Sequence, residues 1–296
     1  MKDHEIKAIH EAYDQTEWIY RLVWRLGKSY AMNYGYWETD TKNIEEAILN
    51  LRLRLATASK VDGNAHILDA GCGYGGTAVW LAKRYGCKVT GITLSDRQLS
   101  IANDLAHSQK VQHLVNFVKA DYHQLPFSAE SFTHYWALES VFHCQDLPML
   151  LSEIARVLQP LGRLTICDYW QSEHVNHHPM LERWFKGYHI KRLADYQVFR
   201  TNLTDLNFSV APFEDYTNAA FKSSQRLYLL GKIGKLSLPL HAIFPKKFRI
   251  TKTRVESVIA QHEALVQGLW KYGVLTAQKN EAPDKYLPSN QISLHP

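Results

Sequence analysis

The residues best placed to do chemistry begin at Asp69-Ala70-Gly71-Cys72-Gly73-Tyr74-Gly75-Gly76. Gly71, Gly73 and Gly76 satisfy a G-x-G-x-x-G spacing, which lets the backbone approach a ligand lying across the end of the preceding strand. A dinucleotide is one such ligand, and the glycines alone do not exclude it. Asp69, just ahead of the first glycine, disfavours a pyrophosphate and favours a group bearing positive charge, such as an amine or a sulfonium. The next strand ends in Gly91-Ile92-Thr93-Leu94-Ser95, without the acidic residue that grips the ribose of a nicotinamide dinucleotide.

A second group lies further along. Ala137-Leu138-Glu139-Ser140-Val141-Phe142-His143 follows an apolar run that reads as a strand, and Asp168 closes the next one. Histidine titrates near neutrality and is the usual base for an alcohol, phenol or amine that must lose a proton. If the two strands are adjacent and parallel, His143 and Asp168 share one rim, and the carboxylate can orient the imidazole. The plainer alternative is a buried, hydrogen-bonded structural histidine.

The elements that must position these residues follow from periodicity. Residues 4 to 28 and 43 to 58 carry helical apolar stripes. From Ala65 the pattern alternates: strands at His66–Ala70, Lys88–Ile92, Leu114–Val118, Ser131–Trp136 and Arg163–Asp168, with helices at Thr77–Arg84, from Ser95, and at Met149–Leu158. Ser95 with Gln98 has the spacing of a capping box. Such alternation predicts a parallel, Rossmann-like α/β sheet with helices on both faces. After Tyr169 the alternation stops: 170 to 205 reads as helical and aromatic, Phe208–Tyr216 as a strand, 217 to 235 as a helix and Trp270–Ala277 as a closing strand.

Taken in order, I-L-D-A-G-C-G-Y-G-G, V-T-G-I-T-L-S-D-R-Q-L, A-D-Y-H-Q-L-P-F, A-L-E-S-V-F-H and L-G-R-L-T-I-C-D resemble the motifs of class I S-adenosylmethionine-dependent methyltransferases. The chain is most similar to the small-molecule branch, with its sugar and antibiotic O-methyltransferases, tocopherol and sterol C-methyltransferases and cyclopropane fatty acid synthases. That resemblance implies S-adenosylmethionine as cofactor, with Asp69 at its amino end and Gly71 and Gly73 along its methionine and adenosine path. It implies Thr93 and Gln98 at the ribose, Asp121 and Tyr122 near the adenine, Leu138 in the cofactor wall and Tyr34 as a lid. Capping explains Gln98 as well, a surface turn would explain Asp121, and packing would explain Tyr34. The resemblance further implies His143 as base, Asp168 as its acid partner, and Glu139 as the carboxylate that stabilises a cation if the acceptor is an alkene.

Around this core the expected organisation is an N-terminal helical lid (1–60), a cofactor-binding core (61–170), an acceptor-binding insertion in the same domain (171–250), and a closing helix and strand with a tail (251–296). The 296 residues are 46% apolar and 21% charged, enough for a large core, and a net charge of +5 is a weak argument for a polyanionic partner. The four cysteines have no C-x-x-C pair, no apolar run reaches the roughly 18 residues of a membrane span, and the N-terminus is unlike a secretory signal. A cytoplasmic protein with reduced thiols is expected, monomeric or homodimeric, acting on a hydrophobic small molecule and not on nucleic acid. His174, His177 and His178 read as a solvated loop, so no metal is expected. The basic run from Lys246 to Arg254 reads as a solvated helix start, or more sharply as contact with an anionic membrane or an acceptor diphosphate. Oxygen is the expected methyl acceptor. A nicotinamide dehydrogenase and a non-catalytic cofactor-binding protein are the rival readings.

Overall fold

A computed structural model describes residues 29–172, 175, 177–237 and 245–281. The helix expected over residues 4 to 28 and His174 lie outside the described residues. Asn43 caps helix α1 (Ile44–Ala58) by accepting from Glu46 N, as a cap side chain should. Strand β1 (His66–Ala70) leads through the glycine turn into α2 (Gly76–Tyr85), then β2 (Lys88–Thr93), α3 (Asp96–Ser108), β3 (Val115–Lys119) and β4 (Phe132–Leu138). A single turn of 3-10 helix follows at Val141–His143, then α4 (Leu147–Val157) and β5 (Leu158–Gln171).

The sheet order is β3-β2-β1-β4-β5-β8-β6, where β6 is Phe208–Val210 and β8 is Trp270–Lys279, with β1 to β5 parallel. The chain runs outward from β1 in one direction through β2 and β3, and in the other through β4 and β5. The carboxyl ends of β1 and β4 therefore flank the point where the winding reverses, which is where open α/β sheets bind ligands. Strand β5 starts earlier than Arg163: Pro160-Leu161-Gly162 sits inside it as an irregularity, with Leu161 at φ 61 and a register shift opposite Phe132 and His134.

Beyond β5 come α5 (Pro179–Tyr188), α6 (Tyr196–Asp205), the short β6 (Phe208–Val210) and β7 (Glu214–Asp215), α7 (Thr217–Ser237), α8 (Pro245–Val266) and β8 (Trp270–Lys279). The single strand expected over Phe208–Tyr216 is two short ones, because the chain leaves β8 at Ala211 and rejoins it at Glu214. Strand β8 returns antiparallel between β5 and β6. One apolar core packs α1, α2, α3, α5, α7 and α8 on one face of the sheet, and a second packs α4 and α6 on the other. Among the described residues no helix is long and apolar enough to cross a membrane.

Candidate active site

The glycine turn is built for close approach. Gly71 has φ +89, and a Cβ there would lie 2.4 Å from Ser140 Cβ, so only glycine lets β1 and the turn after β4 meet. Ser140 completes that join by donating its hydroxyl to Ala70 O at 2.6 Å. Beside it, Asp69 is 2% exposed, and its Oδ2 has no hydrogen-bond partner among the described residues. Burial pushes its carboxyl up to about 7, and the nearby Arg52 guanidinium pulls in the opposite direction. A buried carboxylate oxygen without a donor is costly unless a ligand supplies one. The ammonium group of a cofactor would satisfy that oxygen; a pyrophosphate would not.

Arg52 was not legible as part of the site. It interrupts the apolar stripe of α1 between Ile48 and Leu55, is 6% exposed, and donates to Thr77 Oγ1 and Ser29 O, both at 3.2 Å. The signal available was a guanidinium on a face otherwise reserved for aliphatic side chains.

At the end of β2, Thr93 donates to Gln98 Oε1 at 2.6 Å, so the two residues expected at the ribose are brought together. The capping box is half formed. Ser95 Oγ accepts from Gln98 N, while Thr93 Oγ1 stands between the other two groups, accepting from the Ser95 amide and donating to Gln98 Oε1. After β3, Asp121 Oδ1 accepts from both His123 N (2.9 Å) and His123 Nδ1 (2.8 Å). Burial alone would raise the Asp121 carboxyl, yet the His123 hydrogen bonds outweigh it and hold it below the ordinary value. His123 Nε2 in turn lies 3.5 Å from Cys144 Sγ, and Tyr122 donates its hydroxyl to Ser140 O at 3.3 Å. These contacts tie the loop after β3 to the turn after β4, an arrangement with no sequence signal beyond the residue types. Leu138, the last residue of β4, is partly buried against the same core.

Glu139 follows at φ +49, a left-handed conformation uncommon for a residue with a side chain. The turn throws its carboxylate into an aromatic box. Oε1 accepts from Tyr34 N at 2.6 Å and from Tyr272 OH at 2.7 Å, and Oε2 accepts from Tyr169 OH. The rings of Tyr34, Trp270 and Tyr272 lie 5.3 to 5.6 Å from Tyr169 by centroid, mixing edge-on and tilted contacts. Burial drives the Glu139 carboxyl up to about 8 against the pull of its three donors. Tyr34 is 1% exposed and inside this box. It meets Glu139 through its backbone amide; the N-terminal segment reaches the glycine turn through the Ser29 and Tyr30 carbonyls, 2.5 and 2.4 Å from where a Cβ on Gly76 would be, and through Met32, whose Cε lies 3.5 Å from where a Cβ on Gly73 would be.

The expected Asp168–His143 pair is not what the structure forms. Asp168 is 1% exposed; its Oδ2 accepts from the amides of Ser140 (3.1 Å), Val141 (2.7 Å) and Phe142 (3.2 Å), and its Oδ1 from Tyr169 N (2.7 Å). Strand adjacency does bring it to the rim, as expected. Its lone pairs, though, are spent on the backbone of the turn that carries His143. Burial raises its carboxyl to about 7 against those four donors. His143 stacks at 4.0 Å on Phe142, and burial, reinforced by the positive charge of Arg254 and by His189, lowers its imidazole to about 3. It is held neutral. Arg254 comes from α8, is 6% exposed, and lies 4.6 Å over the Tyr188 ring.

Next to this turn is a cavity of about 980 Å3, lined by Val141, Cys144, Leu181, Phe185, Ile190 and Phe199 among others. Its wall is formed by α5 and the loop before α6. His177 and His178 sit on its edge, and His178 Nδ1 accepts from Met180 N as the cap of α5.

Comparison with known proteins places these features in a family. A model described as a methyltransferase domain matches residues 68–166, from β1 to β5. The O-methyltransferase resE of Aspergillus sclerotiorum is 30% identical over 71% of this chain and 82% of its own length. Methyltransferase GfsG of Streptomyces halstedii is 35% identical over 57% of this chain and 60% of its own length, so the chain spans less than two thirds of that relative. Among solved structures the [4+2]-cyclase SpnF superposes with a TM-score of 0.76 at 24% identity, covering 93% of this chain and 96% of that one. A cyclase with this architecture shows that the likeness carries the fold and not the reaction.

Proposed function

The chain belongs to the S-adenosylmethionine-dependent methyltransferases, and from that membership we propose that it methylates an oxygen atom of a small, largely apolar acceptor, with His143 taking the acceptor's proton. The cofactor supplies an electrophilic methyl group on a sulfonium sulfur. The observation that carries the oxygen assignment is the place of His143, on the turn after β4 whose Val141, Cys144 and Gln145 line the cavity. The neutral ring is the form a base needs; burial and the Arg254 charge weaken it as a base, and an acceptor that brings negative charge to the turn would raise it again. Val141, Leu181, Phe185, Ile190 and Phe199 on the cavity wall suit the apolar part of an acceptor, while Lys186 and Arg192 on the same wall suit a polar group on it.

In this reading Asp69 holds the cofactor's amino end and Gly71 and Gly73 leave room for its backbone. Thr93 and Gln98 meet the ribose, Asp121 and Tyr122 meet the adenine, and Leu138 and Tyr34 wall the site. Asp168 acts on catalysis only through the turn it holds. The chain's work is to position the acceptor and exclude water, since the leaving group is already good.

One observation favours a second reading, carbon methylation. Glu139 stands among the rings of Tyr34, Tyr169 and Tyr272, an arrangement that lowers the energy of a cation made when an alkene takes the methyl. The two readings part on one assay. Supplied with S-adenosylmethionine and phenolic or alcoholic acceptors, His143→Ala should lose roughly 100- to 10,000-fold in kcat with cofactor Kd unchanged. Unchanged turnover would remove His143 as the base. Methylation of isoprenoid alkenes, abolished by Glu139→Gln but not by His143→Ala, would establish the second reading instead.

A further inference from the structure

Helices α7 and α8 form an antiparallel hairpin. Ser224 Oγ meets His262 Nδ1 at 2.9 Å near its base, and Gly234 faces Val255 towards its tip. The base is tied into the site: Ser223 Oγ accepts from Gly35 N and Trp37 Nε1, and Trp270 Nε1 donates to Gln261 O. The other end of α7 is different in character. Leu229, Ile233 and Leu236, spaced i, i+4, i+7, lie along one stripe and are 55%, 64% and 82% exposed. The other exposed large apolar residues are scattered over α1, α4, β5, α6 and the chain just after it, and the end of α8.

Charge is concentrated on the same hairpin. Residues 217–254 contain nine Lys and Arg and no Asp or Glu, although the whole chain carries only +5. The rest of the protein is therefore net negative. Lys222 and Lys232 share the exposed face with the apolar stripe, Lys235 adjoins it, and Lys252 is exposed on α8. An exposed apolar stripe edged by lysines, on a helix without a single carboxylate, has the composition of a segment that lies in the plane of a lipid headgroup layer. A protein partner would need acidic and apolar groups in matching register; an anionic bilayer needs neither.

We propose that the exposed face of this hairpin docks on an anionic phospholipid surface, with Leu229, Ile233 and Leu236 entering the headgroup boundary and Lys232 and Lys235 meeting lipid phosphates. The proposal does not depend on which atom the enzyme methylates. It does place an apolar acceptor's reservoir against the element whose base walls the Glu139 box.

The test is co-sedimentation of the full chain with vesicles of phosphatidylcholine alone and of phosphatidylcholine with phosphatidylglycerol. Partition onto the anionic vesicles only is expected. Lys232→Gln with Lys235→Gln should weaken it roughly 25-fold, and Leu229→Ser with Ile233→Ser and Leu236→Ser by about tenfold or more. S-adenosylhomocysteine affinity, unchanged in both variants, shows that each is folded. Absence of sedimentation with either vesicle would overturn the proposal, as would equal partition of the wild type and the serine variant. A dimer in light scattering that the serine variant makes monomeric, without vesicle partition, would assign the stripe to self-association and overturn it equally.

Discussion

At the scale of single residues, the site depends on carboxyl groups held out of water. Asp69 is the clearest. Its raised pKa means that the ligand-free protein favours the protonated acid, whereas a cationic ligand favours the carboxylate. Cofactor binding should therefore release a proton and weaken as pH falls through about 7. Calorimetry in buffers of different ionisation enthalpy measures this directly. Asp69→Asn should lower affinity for S-adenosylmethionine roughly 10- to 100-fold, the value of a charge-assisted hydrogen bond lost. The same change should remove the pH dependence. Glu139 and Asp168 show the same physics with different partners, phenols in one case and amides in the other.

At the scale of elements, the turn between β4 and α4 is the part that needs most support. It begins with a left-handed glutamate, carries His143, and is gripped through three consecutive amides by Asp168 on the neighbouring strand. Asp168→Ala would leave those amides buried without an acceptor, so a loss of about 3 to 5 kcal/mol in urea unfolding is expected. Asp168→Asn keeps one carbonyl oxygen and should cost less. If alanine proved as stable as the wild type, the turn would be held by its packing and not by the carboxylate. His143 would then fall in activity with Asp168→Ala only if the turn moves, which separates positioning from proton transfer.

For the whole molecule, three acids raised to about 7 or 8 have a joint consequence. Each is bound to its proton more tightly in the folded than in the unfolded chain. The stability this provides is complete below about pH 4, where the unfolded acids are protonated too, and is lost as pH rises through 7 to 8. Ligand-free protein should melt progressively lower between pH 5 and pH 8. Saturating S-adenosylhomocysteine should offset part of the fall, adding about 2.7 kcal/mol at a hundredfold excess over its Kd. A thermal scan across that range, with and without ligand, checks both. A flat profile would mean that these carboxyls are hydrated in the folded state.

What the amino-acid sequence determined by itself was local. The apolar run ending in Asp69, the glycines of the turn and the Ser95 cap are adjacent in the chain, so period and turn chemistry reveal them. The strand and helix alternation is of the same kind, and so is the sheet it predicts. The partners were decided only in three dimensions. Glu139 is bonded by residues 34, 169 and 272, which the strand order β4-β5-β8 and the segment before α1 bring together. No periodicity encodes such a meeting. Asp168 stood at the expected rim, but whether its oxygens faced an imidazole or four amides depended on the path of a single turn, and that path is set by packing. Arg52 and His123 likewise acquire roles only from what lies across from them. Side-chain type and spacing follow from the chain itself, whereas which donor satisfies which buried acceptor is a property of the closed fold.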